Sequence, residues 1–129
     1  MSPAQENSQR GLLIIDHGTR NSEANARLAS FAHSVGERRR DWLVAHAHME
    51  FGSPAFAEAL ASPVAQGASE ILVHLHFLGS GFHVRESIPA LVAEGRERHP
   101  QVSISLGEPL GEDERLVDIV VERMDARAR

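Results

Sequence analysis

The chain has no cysteine, and this absence excludes several kinds of site. Disulfide bonds, thiolate metal sites and thiol nucleophiles all need a sulfur atom that the sequence does not supply. Any metal ligand must therefore be a nitrogen or an oxygen atom. The net charge of -5 also argues against a general nucleic-acid binder, because phosphate recognition requires a concentrated excess of basic residues.

Long apolar runs are missing as well. The first nine residues, MSPAQENSQ, are polar, and no apolar stretch approaches the length of a membrane span. We therefore expect no membrane partner, a cytoplasmic location, and a flexible tail over residues 1–10. Residues 11–129 are predicted to form a single domain, because 42% hydrophobic and 24% charged residues are ordinary globular usage.

Four apolar segments alternate with four segments of helical periodicity. The predicted strands are 11–16, 42–49, 70–77 and 102–106. The predicted helices run from Ser22 to Arg40, from Ser53 towards Gly67, around 88–92, and from Glu112 onwards, the last with an apolar stripe of Leu116, Ile119, Val120 and Met124. Strict alternation of this kind gives a parallel sheet with helices on both faces. The fold class is therefore predicted as three-layer α/β/α with a four-stranded parallel sheet.

Two helix starts carry recognisable capping residues. Asn21 or Ser22 can cap the first helix, and Ser53 followed by Pro54 is typical of an N-cap with proline at the first helical position. Pro63 is predicted to kink or break the second helix before Gly67.

Polar side chains follow the predicted strands, where ligands bind in open parallel sheets. His17 follows the first strand, Glu50 the second, and His83 the third. Imidazole and carboxylate together suit borderline divalent ions, and three protein ligands leave positions open for exchange. Each residue also has a structural interpretation, since His17 can cap a loop and Glu50 or His83 can bond to a helix N-terminus.

The same loops combine apolar, glycine and arginine residues. Apolar side chains can wall a flat ligand, glycines allow close approach to the backbone, and arginines near helix N-termini favour an anionic partner. The residues expected to bind such a ligand are Arg20, Phe51, Phe77, Leu78, Gly79, Ser80, Gly81, Phe82 and Arg85.

Two pairs of histidines lie within the strands themselves. His46 and His48 share one face of the second strand, and His74 and His76 share one face of the third, because strand side chains alternate. These are either neutral imidazoles that are hydrogen-bonded under a helix or at a subunit interface, or extra metal ligands. His48 and His76 lie nearest the strand ends and are the candidate accessory ligands.

Four motifs together resemble the small single-domain sirohydrochlorin cobaltochelatases of the CbiX type: LLIIDHGTRNSEAN, HMEFGSPAFAEAL, HFLGSGFHVRESIPALV and GEPLG. The resemblance implies the class II chelatase fold and a homodimer that completes a two-lobed cleft. It also implies ATP-independent insertion of a divalent metal into sirohydrochlorin for cobalamin (vitamin B12) biosynthesis. The metal-binding histidines would be His17 and His83, and the family's glutamate would be Glu50.

The resemblance implies no tightly bound cofactor. The divalent metal, Co2+ or alternatively Fe2+ or Ni2+, would be a substrate, as would the tetrapyrrole. The sequence departs from the family pattern at Asp16, where a small residue is usual, and at the extra strand histidines. These departures keep two other hypotheses open, namely a noncatalytic histidine-rich metal-binding or delivery protein and a tetrapyrrole carrier.

Overall fold

The computed structural model of the chain describes residues 9–79 and 81–128, with the side chains of Phe82, His83 and Glu112 left out. The strands are β1 (Gln9–Asp16), β2 (Trp42–His48), β3 (Ala68–Leu75) and β4 (Ser103–Pro109). The helices are α1 (Ser22–Arg38), α2 (Phe56–Ala65), α3 (Phe82–Arg98) and α4 (Arg115–Ala128), with a 3-10 turn at Leu110–Glu112 before α4. No helix in the described ranges is long and apolar enough to cross a bilayer.

The four strands form one parallel sheet in the order β2-β1-β3-β4. This confirms the predicted α/β class and places β1 and β3 at the centre. Leu13 and Ile15 of β1 are fully buried on the face covered by α2 and α3, whereas Ile14 is fully buried under Leu28 and Ala32 of α1. Burial of each such side chain contributes about 1.5–3 kcal/mol to folding.

The first strand and first helix begin close to their predicted positions. β1 starts at Gln9, two residues earlier than expected, so Gln9 and Arg10 belong to the sheet and not to the predicted tail. Residues 1–8 of that tail lie outside the described residues. Asn21 is the N-cap of α1, because its side-chain oxygen accepts hydrogen bonds from the backbone N–H groups of Glu23 and Ala24.

The predicted start of the second helix is wrong. α2 begins at Phe56, and Ser53 and Pro54 belong to the preceding loop, where their peptide bond is cis. The carbonyl of Pro54 accepts the backbone N–H of His48 at 3.0 Å, which holds this segment against the end of β2. Pro63 does not break the helix: it is buried within α2, which continues to Ala65.

The ends of β3 and β4 also differ from the prediction. β3 ends at Leu75, so His76 and Phe77 lie just beyond the strand. β4 extends to Pro109 because its register shifts: Val73 pairs with Leu106, whereas Leu75 pairs with Pro109. One extra residue on β4 between these two pairs makes a local irregularity of the β-bulge kind.

The last helix departs most from expectation. The helix begins at Arg115, whose backbone N–H donates a hydrogen bond to the Asp113 side chain at 2.8 Å. None of the residues of the helix is buried. Five of its apolar side chains are between 40% and 63% exposed, and they are Val117, Ile119, Val120, Val121 and Met124, whereas Leu116 is partly buried. In the described part of the chain, α4 therefore adds an apolar surface to the outside of the domain and nothing to the core.

Candidate functional site

The loops after β1 and β2 meet through their backbones at the carboxyl edge of the sheet. The Glu50 N–H donates to the His17 carbonyl at 2.9 Å, and the Met49 N–H donates to the Asp16 carbonyl at 2.8 Å. Gly18 has φ +81°, and a Cβ atom there would lie 1.9 Å from the Glu50 carbonyl oxygen. His17 and Glu50 are adjacent because only glycine permits this close approach.

The His17 ring rests on the side chain of Phe77. Their ring centroids are 4.7 Å apart and the planes are nearly perpendicular, at 84°. His17 is exposed, whereas Phe77 is only 5% exposed. The structure thus places Phe77 in the core in contact with His17, and its predicted role in binding a ligand stays a prediction.

The loop after β3 holds most of the remaining predicted residues. Leu78 is 76% exposed, and Gly79, Gly81 and Arg85 are exposed beside it. Ser80 and the side chain of Phe82 lie outside the described residues. The Phe77 carbonyl accepts the Gly111 N–H at 3.2 Å, so the loop after β4 joins the same edge.

His83 is the second residue of α3, a helix that begins directly after the N-cap residue Gly81. Its backbone is therefore at the helix start that faces this edge, but its side chain lies outside the described residues. Within those residues, no three potential ligand side chains converge on one point. The three-ligand set of His17, Glu50 and His83 stays a prediction.

A cleft of about 390 Å³ adjoins the edge between α1 and the loop after β2. Arg20 and Phe51 form part of its rim, with the Arg20 guanidinium carbon 4.7 Å from the centre of the Phe51 ring. Phe51 has φ +62°, a left-handed conformation that is strained for a bulky residue. Two of the residues predicted to bind a ligand are thus brought together at an exposed, positively charged position.

A hydrogen-bonded pair beneath this edge was not foreseen from the sequence. The Nδ1 atom of His48 lies 2.7 Å from Oδ1 of Asp16, and His48 is only 2% exposed. The two residues are direct partners in the β1–β2 register, a relation that follows once the two strand ends are aligned. Because Nδ1 is bonded to Asp16, only Nε2 of His48 is free for the accessory metal role, which stays a prediction.

The other strand histidines are held in their neutral form. Burial, reinforced by the neighbouring His48, lowers the pKa of His46. Burial, reinforced by His76, lowers the pKa of His74, and burial also lowers the pKa of His76 itself. Their ring nitrogens are therefore not blocked by a second proton at neutral pH.

The fold resembles that of chelatases of known structure. The SirB protein from Bacillus subtilis, solved with Fe3+, superposes with a TM-score of 0.86 at 27% identity, over 94% of this chain and 48% of that chain. The family model of CbiX matches residues 11–127. The chain belongs to the CbiX family.

Relatives of similar sequence include both iron and cobalt chelatases. A chloroplastic sirohydrochlorin ferrochelatase from Arabidopsis thaliana is 34% identical over 114 residues, covering 88% of this chain and 51% of the relative. A sirohydrochlorin cobaltochelatase from Methanococcoides burtonii is 30% identical over 121 residues, covering 88% of this chain and 92% of the relative. The chain thus spans about half the length of the Arabidopsis and Bacillus proteins and nearly all of the archaeal one.

Replacing Gly18 by alanine should separate the two loops. The new Cβ would clash with the Glu50 carbonyl, and overpacking of this kind costs about 1–3 kcal/mol beyond the cost of the left-handed backbone. Gly67→Ala is the matched control, because Gly67 has φ +100° and nothing lies within 4 Å of its added Cβ. Urea unfolding should show a larger loss for Gly18→Ala, and equal losses would contradict the proposed contact.

Removing the Asp16 carboxylate should leave a buried imidazole without its partner. We expect Asp16→Ala to lower the free energy of unfolding by about 1–3 kcal/mol, because His48 is buried and loses its hydrogen bond. Asp16→Asn should lose less, since its amide oxygen can still accept the Nδ1–H. Chemical denaturation of the three proteins measures this difference, and an Asn variant as unstable as the Ala variant would argue against the hydrogen bond.

Proposed function

We propose that this chain inserts a divalent metal, with Co2+ as the first candidate, into sirohydrochlorin. Membership of the CbiX family carries this proposal, because the matched relatives are named as sirohydrochlorin chelatases. The adjacent His17 and Glu50 at an exposed edge support it, since they combine a nitrogen ligand with a carboxylate.

Metal insertion requires the pyrrole N–H protons to leave as the ion enters the macrocycle. In the proposed mechanism, neutral His17 and His83 hold the ion, and Glu50 accepts a proton, ligates the ion, or does both in turn. Phe77 keeps the His17 ring in place from below, at 4.7 Å between ring centroids. Because its position is fixed, the imidazole loses little conformational freedom when it binds the ion, and it can then release the ion to the macrocycle.

Substrate recognition would use the exposed residues around these ligands. Leu78 and Phe51 are 76% and 61% exposed and offer apolar contact to a flat macrocycle. Arg20 and Arg85 are exposed cations that can meet the substrate carboxylates. The cleft that Arg20 and Phe51 line is open to solvent on this side of the edge.

The ligand types at the candidate site are compatible with several divalent metals. Nitrogen and oxygen ligands follow the general affinity order of divalent ions and do not by themselves select cobalt. Relatives that are named for iron and for cobalt match this chain at similar identity. Iron for sirohaem and nickel for a related tetrapyrrole are therefore the alternatives within the same proposal.

An anaerobic assay with sirohydrochlorin and Co2+, Fe2+ or Ni2+ tests the reaction directly. We expect the wild-type protein to accelerate metal insertion, which is followed as a change in the tetrapyrrole absorbance. The rate of insertion should fall about 10-fold or more in His17→Ala, Glu50→Ala and His83→Ala. His33→Ala is the control, because His33 is exposed on α1 and its ring lies near Glu37 of the same helix. Absence of acceleration with every ion, for a folded wild-type protein, would refute the chelatase and leave a metal-delivery protein or a tetrapyrrole carrier.

We also propose that the active form is a homodimer. The chain corresponds to about half of the Bacillus protein, so a second copy would supply the other half of a two-lobed cleft. The exposed side of α4 supports this, because Val117, Val120, Val121 and Met124 follow the i, i+3, i+4, i+7 spacing of a packed helix. A second copy is the occupant that we assign to this surface.

Light scattering during gel filtration tests the dimer. We expect twice the mass of the chain for the wild-type protein and a monomer for Val120→Glu, since a buried unpaired carboxylate would oppose association. Ala126→Glu places the same charge on the opposite side of α4 and should remain dimeric. A monomeric wild-type protein, or dissociation of both variants, would contradict the assigned interface.

A further inference from the structure

His74 and His76 stand on the more open half of one sheet face. The register places Ile14 between His46 and His74, so His74 lies on the face that α1 covers over β1 and β2. His76 lies just beyond the end of β3, where the Phe31 ring of α1 packs against it. In the described ranges, no helix buries side chains against the β3 part of this face. Both imidazoles are half-buried and reachable from solvent.

One nitrogen of each ring lies close to a nitrogen of the other ring. Nδ1 of His76 lies 3.5 Å from Nε2 of His74, and the ring centroids are 5.6 Å apart with the planes at 56°. That separation is long for a hydrogen bond. It is close to the roughly 3.3 Å between two nitrogens that bind one tetrahedral ion with bonds of about 2.0–2.1 Å.

The surroundings keep the pair neutral and limit its motion. Burial lowers the pKa of both rings, so neither competes for the ion with an extra proton at neutral pH. The Phe31 ring of α1 lies against His76 with centroids 4.4 Å apart, which restricts the rotation of that imidazole. The His76 backbone N–H donates a hydrogen bond to the Ile15 carbonyl at 2.9 Å, and this bond holds the start of the loop after β3 against β1.

His74 lines a cleft of about 480 Å³. Glu108 and Asp113 also line this cleft, and the Asp113 carboxylate is engaged by Arg115 at 2.6 Å. No third ligand converges on the pair among the described residues, so water must complete the coordination. Two protein ligands with water give weak and rapidly exchanging binding.

We propose that His74 and His76 form a second site for a borderline divalent ion, distinct from the site that contains His17. The ligand class is Co2+, Ni2+ or Zn2+, which accept neutral imidazole. The site's use rests on the proposed function: it holds the ion beside the chelation edge, since His76 directly precedes Phe77, on which His17 rests. Binding of the ion itself does not depend on catalysis.

Equilibrium dialysis with Co2+, in the absence of tetrapyrrole, tests the site. The starting protein is the double variant His17→Ala/His83→Ala, which removes the imidazoles of the proposed chelation site. We expect it to retain one bound Co2+ with a visible absorption band of nitrogen coordination. Adding His74→Gln or His76→Gln should weaken this binding at least 10-fold, whereas adding His33→Gln, on the exposed side of α1, should not.

Far-UV circular dichroism of each variant establishes that the sheet is intact. Equal Co2+ binding in the His74→Gln, His76→Gln and His33→Gln proteins would overturn the site, as would loss of all binding in the starting double variant. The chelatase assay of the wild-type protein separates the two proposals. If the protein binds Co2+ at His74 and His76 but does not insert metal into the tetrapyrrole, the second site stands and its role as a metal donor is refuted. If the protein inserts metal but does not bind Co2+ at these histidines, only the second site is refuted.

Discussion

Two backbone hydrogen bonds between the loops after β1 and β2 determine the arrangement of the open edge. They join Asp16 to Met49 and His17 to Glu50, and they require Gly18 to lie against the Glu50 carbonyl. A side chain at residue 18 would push the loops apart, and His17 would then no longer share an edge with Glu50. The backbones that carry the candidate nitrogen ligand and the candidate carboxylate are thus held together by these bonds, before any ligand is considered.

Much of this arrangement follows from patterns in the sequence. Alternating apolar segments indicate the parallel sheet, and the end of each predicted strand indicates where His17 and Glu50 meet. Asn21 was recognisable as a cap because it acts within its own turn. Local patterns of this kind are readable because the residues that satisfy them are neighbours in the chain.

Other features depend on partners that are distant in sequence. Ser53 and Pro54 have the pattern of a helix start, but a hydrogen bond from His48 to the Pro54 carbonyl holds them in the loop. Phe77 is buried in contact with His17, a residue of a different strand end, and no local pattern indicates that contact. The apolar spacing in α4 correctly predicts a helix, but it does not indicate which surface packs against the apolar side of that helix.

The exposed stripe of α4 has a consequence for the folding of the chain. A helix of 14 residues is only marginally stable in water when nothing packs against it. If a second copy covers the stripe, the free energy that forms the helix comes from association, and it therefore depends on protein concentration. The dilute and the concentrated chain would then differ in helix content while sharing the same sheet.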